Sequence, residues 1–379
     1  MKISYLMIGL GKSGGSLVLY NFMDKLVERG HEVYAILPDV TIKWEAGIWK
    51  KQLVKPKSRL KSFLHYLIKG SFNQSWDQFT KNLINNWVDS DITIATHCKT
   101  AYAAYHLSEK TVPIYHMQHL EELFFEEYED RLMARNTYFL PLIKISNSQW
   151  LKNMLQKQFD MSSNLLNPGI NLDIFHPYQN PAFKFIDKKE WTLVSFVDGN
   201  REWKGFDDAV QAVKIARETL SQQEIHLIWK IYGFEPKKSD IEMQYQGLVY
   251  GDELARLYSG ADLVLLPSWY ESFPLPPLEA MACGSLIITT RYGTEDYVIH
   301  GENGLVCLPR KPEHMAKQLV YAINHPKKCI EMVEKGLQTA QEYNWDKRTD
   351  SLEKILEESF QNYDFNKFKE LENLVKGNI

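Results

Sequence analysis

Short apolar runs alternate with longer amphipathic stretches along the chain, which is the pattern of parallel strands joined by helices. Near the amino terminus, Ile3–Ile8 predicts a strand, Gly9–Gly15 a glycine-rich turn and Ser16–Glu28 an amphipathic helix. Gly30 ends that helix, and His31–Leu37 predicts the next strand. The first part of the chain therefore predicts a βαβ unit.

The same alternation returns in the second half. The stretch Asn167–Pro177 contains two prolines and a glycine, so it continues neither a helix nor a central strand. After it, Trp191–Gly199 predicts a strand and Phe206–Leu220 a helix. A chain of 379 residues is long for one core, so we predict two α/β domains.

Candidate chemistry is concentrated in Pro267–Gly284, whose sequence is PSWYESFPLPPLEAMACG. An apolar run precedes it and LIITT follows it, so the pattern predicts strand, loop, helix and strand, with Pro277 at the helix start. Glu271 is then at the carboxyl end of a strand, where open α/β sheets bind ligands, and Glu279 is in the first helical turn. Carboxylates there can accept hydrogen bonds from sugar hydroxyls. From spacing alone, a helix-capping Glu279 and a solvated Glu271 are equally compatible with the pattern.

Composition narrows the function classes. A net charge of −4 argues against general nucleic-acid binding. The four cysteines are scattered, which predicts neither a disulfide framework nor a CxxC metal site and favours a cytoplasmic protein. No apolar run approaches the roughly 20 residues of a spanning helix, and the amino terminus lacks the features of a secretory signal.

The glycine-rich turn supports an alternative function. Gly9-Leu-Gly11-Lys-Ser-Gly14 fits the dinucleotide pattern G-x-G-x-x-G, and Asp39 follows the second predicted strand. An NAD(P)-dependent oxidoreductase is therefore an alternative, although a lone glycine pattern of this kind is weak and explains only the first βαβ unit.

Residues 43–70 form a basic segment with eight Lys and Arg side chains and one acid, Glu45. Within it, apolar residues recur at helical spacing from Leu60 to Ile68. One interpretation is a helix packed on its own sheet with a solvated basic edge. The other is an interfacial helix that binds an anionic membrane surface.

The stretch ESFPLPPLEAMACG resembles the Glu-x7-Glu signature of the retaining glycosyltransferases of family 4, written E-G-F-G-L-P-x-L-E-A-M-A-x-G. Asn167–Pro177 resembles the hinge between the two domains of that family, and Asn200–Gly205 its basic loop. The resemblance implies the GT-B fold, in which two Rossmann-like, doubly wound α/β domains face each other across a cleft. It places an acceptor-side domain at 1–170, a nucleotide-sugar domain at 171–345 and returning C-terminal helices at 346–379.

The resemblance also assigns roles to residues. Glu271 is expected to hold hydroxyls of the donor sugar and Glu279 the nucleotide ribose, while Arg201 and Lys204 neutralise the leaving diphosphate. The implied catalytic residues are Glu271, His119, Lys204 and Arg201. The implied donor-binding residues are Gly14, Gly15, Arg201, Lys204, Glu271, Ser272, Phe273, Leu275 and Glu279. Gln118, His119 and Glu121 are expected on the acceptor side.

The implied reaction moves a sugar from a nucleotide-diphosphate donor to a hydroxyl of a glycan or lipid-linked acceptor, with retention of anomeric configuration. The expected setting is synthesis of envelope polysaccharide or glycolipid, in the cytoplasm or at the inner face of the membrane. The resemblance implies neither a metal nor a cofactor. Ser272 and Pro274 replace the glycines of E-G-F-G, so the loop is stiffer. A catalytically silent GT-B-like partner protein is a further alternative.

Overall fold

The computed structural model describes residues 1–11, 13–48, 75–181, 185, 188–198, 201–236 and 240–365. The chain forms two compact units. The first contains Met1–Pro168 and Trp345–Ile379, and the second contains Gly169–Asn344. Most of the basic segment, residues 49–70, lies outside the described residues, so its predicted membrane contact stays a prediction.

The first unit has one mixed sheet, which contains seven strands within the described residues. The strands are β1 Lys2–Leu6, β2 Glu32–Leu37, β3 Val40–Lys43, β4 Ile92–Ala95, β5 Val112–Met117, β6 Ile143–Ser146 and β7 Asn164–Leu165. Their order is β3-β2-β1-β4-β5-β6-β7, and only the β2–β3 hairpin is antiparallel. Its helices are α1 Gly14–Glu28, α2 Trp76–Asn86, α3 Cys98–His106, α4 Tyr128–Asn136 and α5 Gln149–Phe159.

The second unit has an all-parallel sheet of six strands within the described residues, in the order β10-β9-β8-β11-β12-β13. The strands are β8 Glu190–Val197, β9 His226–Gly233, β10 Gln244–Tyr245, β11 Leu263–Leu266, β12 Leu286–Thr290 and β13 Leu305–Cys307. The helices are α6 Phe206–Ser221, α7 Gly251–Ser259, α8 Leu275–Ala282, α9 Pro312–Asn324 and α10 Pro326–Gln341. The predicted α/β class with two doubly wound sheets is confirmed.

The last described helix, α11 Trp345–Asn362, belongs to the first unit and packs on α1. The Trp345 ring meets the edge of Phe22 at 5.1 Å. Arg29 Nη1 donates to Asp350 Oδ1 at 2.7 Å, and His31 Nε2 lies 2.8 Å from Glu353 Oε1. An aromatic contact and a group of ion pairs therefore fix the end of the described chain to the first unit.

The sheet orders locate a switch point in each unit. In the first unit, successive connections run outward in opposite directions from the neighbouring strands β1 and β4, and in the second unit from β8 and β11. The central strands β4 and β11 are completely buried because helices cover both faces of the sheet. Loops diverge at the carboxyl ends of such strand pairs, which is where open α/β sheets bind ligands. Among the described residues, no helix is both long and apolar enough to cross a membrane.

Candidate functional site

Two loops meet at the switch point of the second unit. Strand β8 leads to a 3-10 turn, Glu202–Lys204, and strand β11 leads to the loop that carries Glu271. The two loops are joined by a backbone hydrogen bond, in which the Trp269 N–H donates to the Trp203 carbonyl at 2.6 Å. The Trp203 and Tyr270 rings are parallel within 13°, with their centroids 6.2 Å apart. These contacts bring the predicted diphosphate loop and the predicted sugar loop together.

The centre of this junction is an ion pair between two predicted site residues. Lys204 Nζ lies 2.5 Å from Glu271 Oε1, and both side chains are mostly buried, at 20% and 18% exposure. Arg201 is placed differently, because its side chain is 56% exposed and its Nε lies 3.6 Å from Asp198 Oδ2. The structure therefore brings Lys204, but not the Arg201 side chain, into direct contact with Glu271.

Two glycines allow the loops to approach. A Cβ atom on Gly205, whose φ is +71°, would lie 2.2 Å from the Pro267 carbonyl oxygen. A Cβ atom on Gly293, whose φ is +91°, would lie 2.4 Å from the Glu271 carbonyl oxygen. Only glycine permits both this backbone conformation and this distance. The sequence pattern assigns no role to Gly293, because its contact with Glu271 depends on the packing of a third loop.

Helix α8 begins earlier than the sequence pattern predicts. Its first residue is Leu275 rather than Pro277, with Pro274 as the N-cap, so Glu279 is the fifth helical residue and not in the first turn. Pro276 is the second residue and Pro277 the third; both lack an N–H group. Among the first three helical residues, Leu275 alone offers a backbone donor to an anion. The start of α8 therefore offers fewer backbone donors to an anion than an ordinary helix amino terminus.

The loop before α8 is held in place by contacts with the core of the second unit. Ser272 and Phe273 are buried, and the Phe273 ring packs against Tyr297 at 5.1 Å and Tyr343 at 5.8 Å. The Tyr297 hydroxyl donates to the Pro274 carbonyl at 2.6 Å. The Phe273 side chain thus belongs to the core, and a donor would meet this loop through its backbone.

Glu279 is a partly buried acid on α8, and its charge acts on the hydrogen-bonded pair Tyr232 and Tyr258. Within the described ranges, no group hydrogen-bonds its carboxylate. Burial raises the pKa of Glu279 to about 8. A carboxyl group with spare acceptor capacity at the carboxyl edge of the sheet is suited to accept hydrogen bonds from the hydroxyls of a ligand.

We expect Glu279→Gln to change the pH dependence of stability. The folded-state pKa lies above the unfolded value, so the wild-type protein takes up a proton on folding between pH 4.5 and about 8 and loses stability as pH rises through that window. Glutamine removes this dependence. The thermal midpoint of the variant should match wild type near pH 5 and exceed it near pH 9. If the variant and the wild-type protein have equal thermal midpoints at pH 5 and also at pH 9, the raised pKa of Glu279 is contradicted.

Predicted residues of the first unit also come together. Helix α1 begins at Gly14 rather than Ser16, with Ser13 as its N-cap. A Cβ atom on Gly15 would lie 3.1 Å from Gln118 Oε1, so the glycine turn and the loop after β5 are adjacent. His119 lies between two rings, with Phe124 at 5.2 Å and Trp150 at 5.8 Å.

Glu121 occupies a different position from its neighbours on this loop. It is 2% exposed, and its carboxylate accepts a hydrogen bond from the Cys98 N–H at the start of α3. Burial raises the pKa of Glu121 to about 7. Its visible role is to anchor the loop, whereas Gln118 and His119 lie nearer the loop surface.

The dinucleotide alternative finds little support in the first unit. Asp39, the predicted ribose-binding acid, is exposed in the tight connection between β2 and the antiparallel strand β3. The sequence pattern does not predict β3, so it places Asp39 at the start of a loop at the carboxyl edge. The Tyr20 hydroxyl donates to the Gly11 carbonyl at 3.0 Å, which is a structural use of the glycine turn.

Comparison with known proteins identifies the second unit most clearly. Residues 192–325 match the family model described as glycosyl transferases group 1. The D-inositol 3-phosphate glycosyltransferase of Rhodococcus opacus is 24% identical over 242 residues, which are 58% of this chain and 54% of the relative. The chain spans just over half the length of the curated relatives that it matches first.

Solved structures match in fold over nearly the whole chain. Sucrose-phosphate synthase from Thermosynechococcus elongatus has a TM-score of 0.70 at 17% identity, covering 96% of this chain and 100% of that one. HepE of Anabaena in complex with UDP-glucose has a TM-score of 0.68 at 15% identity, covering 94% and 100%. At these identities the likeness concerns the fold, and the predicted GT-B class is confirmed.

Proposed function

We propose that this chain is a retaining glycosyltransferase that moves a sugar from a nucleotide-diphosphate donor to a hydroxyl. The match of residues 192–325 to the glycosyl transferases group 1 family model supports this proposal. The ion pair of Lys204 and Glu271 at the β8–β11 switch point carries this proposal. One loop presents an ammonium group and the other a carboxylate, which are the groups that a sugar diphosphate requires side by side.

The donor assignment follows from the charges at this point. Cleavage of the bond between the anomeric carbon and the diphosphate oxygen leaves negative charge on the nucleoside diphosphate. Lys204 stabilises that charge, with Arg201 on the same turn as a second cation. Preorganised charge of this kind usually lowers the barrier more than any other single effect in catalysis. Glu271 accepts hydrogen bonds from donor-sugar hydroxyls, and Glu279 accepts them from the ribose.

The transfer step needs no separate base on the protein. The acceptor oxygen forms its bond to the anomeric carbon on the face from which the diphosphate leaves, and its proton passes to the departing phosphate oxygen. Configuration is then retained without a covalent sugar–enzyme intermediate. Lys204 and Arg201 take the place of a divalent cation, so transfer should continue in EDTA.

The acceptor belongs to the first unit in this proposal, where Gln118 and His119 follow β5. A glycan or lipid-linked acceptor, used in envelope polysaccharide or glycolipid synthesis, remains the proposed class. Co-sedimentation with anionic and neutral vesicles would test whether the basic segment 43–70 brings the protein to a membrane.

A donor panel tests the activity. We expect calorimetry to detect binding of at least one nucleotide-diphosphate hexose among UDP, GDP, ADP and dTDP forms, and no binding of NAD. HepE, which shares the fold, was solved with UDP-glucose, so the uridine donors are the first choice. Glu279→Ala should weaken binding of the matching free nucleotide diphosphate by about 10-fold, the upper end for one ordinary hydrogen bond.

The panel also separates the alternatives. Binding of NAD without any nucleotide sugar would support the oxidoreductase and overturn the proposal. Slow hydrolysis of the bound donor would exclude a silent partner protein. Proton NMR of the first product would report its anomeric configuration, and an inverted product would overturn the retaining mechanism.

A further inference from the structure

Four rings form a continuous aromatic surface at the carboxyl edge of the first sheet. His97 follows β4, His119 and Phe124 follow β5, and Trp150 is the second residue of the helix after β6. The Phe124 ring stacks on His97 at 6.4 Å and 22°, and His119 links Phe124 to Trp150. We call these four residues the aromatic platform. Strands β4, β5 and β6 are parallel neighbours, so the platform lies where such a sheet binds ligands.

The platform is held rigidly although its central ring is exposed. Phe124 is 56% exposed on a 3-10 turn whose first residue, Glu121, is buried and accepts from the Cys98 N–H. The Tyr138 hydroxyl accepts from the Glu122 N–H at 3.2 Å. An exposed phenylalanine on a turn fixed at its first two residues is placed for a partner, since a core phenylalanine would be covered.

Two acidic or basic groups in or next to the platform, His97 and Glu121, serve as caps of helix α3. His97, Cys98 and Glu121 offer ligand atoms within 4.8 Å of one another, a spacing that also occurs around metal ions. However, His97 Nδ1 accepts from the Lys99 N–H at 3.2 Å, and the Glu121 carboxylate accepts from the Cys98 N–H. Both acceptors therefore satisfy backbone donors at the start of α3.

The charge around Phe124 indicates what the platform accepts. Residues 121–130 contain six acids and no basic residue. Glu126, Glu127 and Glu129 are exposed, whereas Glu121 is buried and Glu122 pairs with Arg135. The three exposed acids repel a phosphate or carboxylate ligand at short range. Aromatic rings beside acids and amides instead suit a sugar, whose C–H face is apolar and whose hydroxyls donate hydrogen bonds. Gln118, beside Gly15, places an amide at the same edge.

We infer that the aromatic platform binds the uncharged terminal sugar of the acceptor, with its C–H face on Phe124 and its hydroxyls toward His119 and Gln118. This inference rests on the proposed function and adds the class of acceptor. The acceptor is a neutral glycosyl unit, in contrast to the phosphate-bearing acceptor named for the Rhodococcus relative.

Variants of Phe124 test the stacking. Phe124→Ala should raise the KM for the acceptor about 10-fold or more, the value of one buried aromatic face, with a smaller change in the KM for the donor. Phe124→Tyr keeps the flat ring and should restore acceptor KM, whereas Phe124→Leu keeps only apolar bulk and should not. Phe139→Ala is the matched control, because Phe139 is another exposed phenylalanine of this unit, 52% exposed and outside the platform.

The charge of the acceptor provides a second test of this inference. With the donor fixed, octyl glycosides should be glycosylated with a kcat/KM about 10-fold or more above that of their 6-phosphates, because one unfavourable charge contact costs this much. The double variant Glu126→Gln, Glu127→Gln should raise the kcat/KM for the 6-phosphates and so reduce the difference between the two kcat/KM values.

The outcomes separate this inference from the proposed function. Transfer that occurs with an unchanged acceptor KM in Phe124→Ala, or that favours the 6-phosphates, overturns the inference and leaves the proposed function intact. If wild type neither binds nor hydrolyses any nucleotide sugar, both are overturned. A raised acceptor KM in Phe124→Ala, restored in Phe124→Tyr, supports the platform.

Discussion

Glu271→Ala is expected to lower kcat for sugar transfer by about 10²–10³-fold, the usual effect of removing one preorganised group that contacts the reacting centre. The Glu271 carboxylate is bound to Lys204, which fixes the ammonium at the carboxyl edge of β8 and β11. Without Glu271, the ammonium loses its position and the donor sugar loses an acceptor for its hydroxyls. Steady-state kinetics with a saturating donor would measure the change.

The controls for Glu271→Ala distinguish chemistry from folding. Glu302→Ala removes a carboxylate of the same unit from a solvated pair with Lys335, where the side chains are 58% and 55% exposed, and should leave kcat near wild type. Lys204→Met should also lower kcat strongly. Because Lys204 and Glu271 are in contact, the double variant should lose much less than the product of the two single losses. Near-normal kcat in Glu271→Ala, with the fold intact by circular dichroism, would exclude a catalytic role.

The strands and helices of the second unit follow closely from the sequence pattern. The apolar run at Leu263–Leu266 and LIITT at Leu286–Thr290 are buried strands, as periodicity predicts for a sheet covered on both faces. Gly284, with φ +75°, ends the helix between them as a left-handed residue. These features depend on local sequence, which is why they could be predicted without coordinates.

The start of α8 is predicted wrongly from the sequence, because Leu275, Pro276 and Pro277 are each compatible with the first helical position. Proline is favoured at the first helical residue, but it is tolerated throughout the first turn, where N–H groups have no intrahelical partner. The tandem Pro276–Pro277 therefore fits a helix that begins at Leu275 equally well. A shift of two residues moves Glu279 from the first turn into the second, where it is partly buried and its pKa is raised.

The contacts between elements that are distant in the sequence could not be predicted from the sequence pattern. Lys204 and Glu271 are 67 residues apart, and each was expected to bind the donor separately. Nothing in their local sequences predicts that they form a pair, because the pairing requires β8 and β11 to be neighbours in the sheet. The aromatic platform was missed for the same reason, since its rings come from the ends of three strands.

Gly205→Ala is expected to destabilise the second unit strongly and to lower kcat. Its Cβ atom would lie 2.2 Å from the Pro267 carbonyl oxygen, a backbone atom that cannot rotate away, and its φ of +71° disfavours any side chain. The strain of an alanine in the left-handed conformation and the forced displacement of the Pro267 carbonyl together should lower the free energy of unfolding by about 2–5 kcal/mol. The displacement separates the Lys204 turn from the Glu271 loop, so kcat should fall by about 10²-fold, as for a 1 Å misplacement of catalytic groups.

Gly251→Ala provides the matched control for Gly205→Ala. Gly251, the first residue of α7, also has a left-handed φ, +55°, but a Cβ atom there meets nothing within 4 Å. Its alanine variant should lose only the strain, about 1–2 kcal/mol, and keep its kcat. The difference between the two variants, measured by denaturant unfolding and steady-state kinetics, isolates the contact with Pro267. If both variants lose the same stability and both keep kcat, then the close approach of the two loops does not hold Lys204 against Glu271. In that case the ion pair would have to be maintained by the Trp203–Tyr270 stack and the Trp269 hydrogen bond alone.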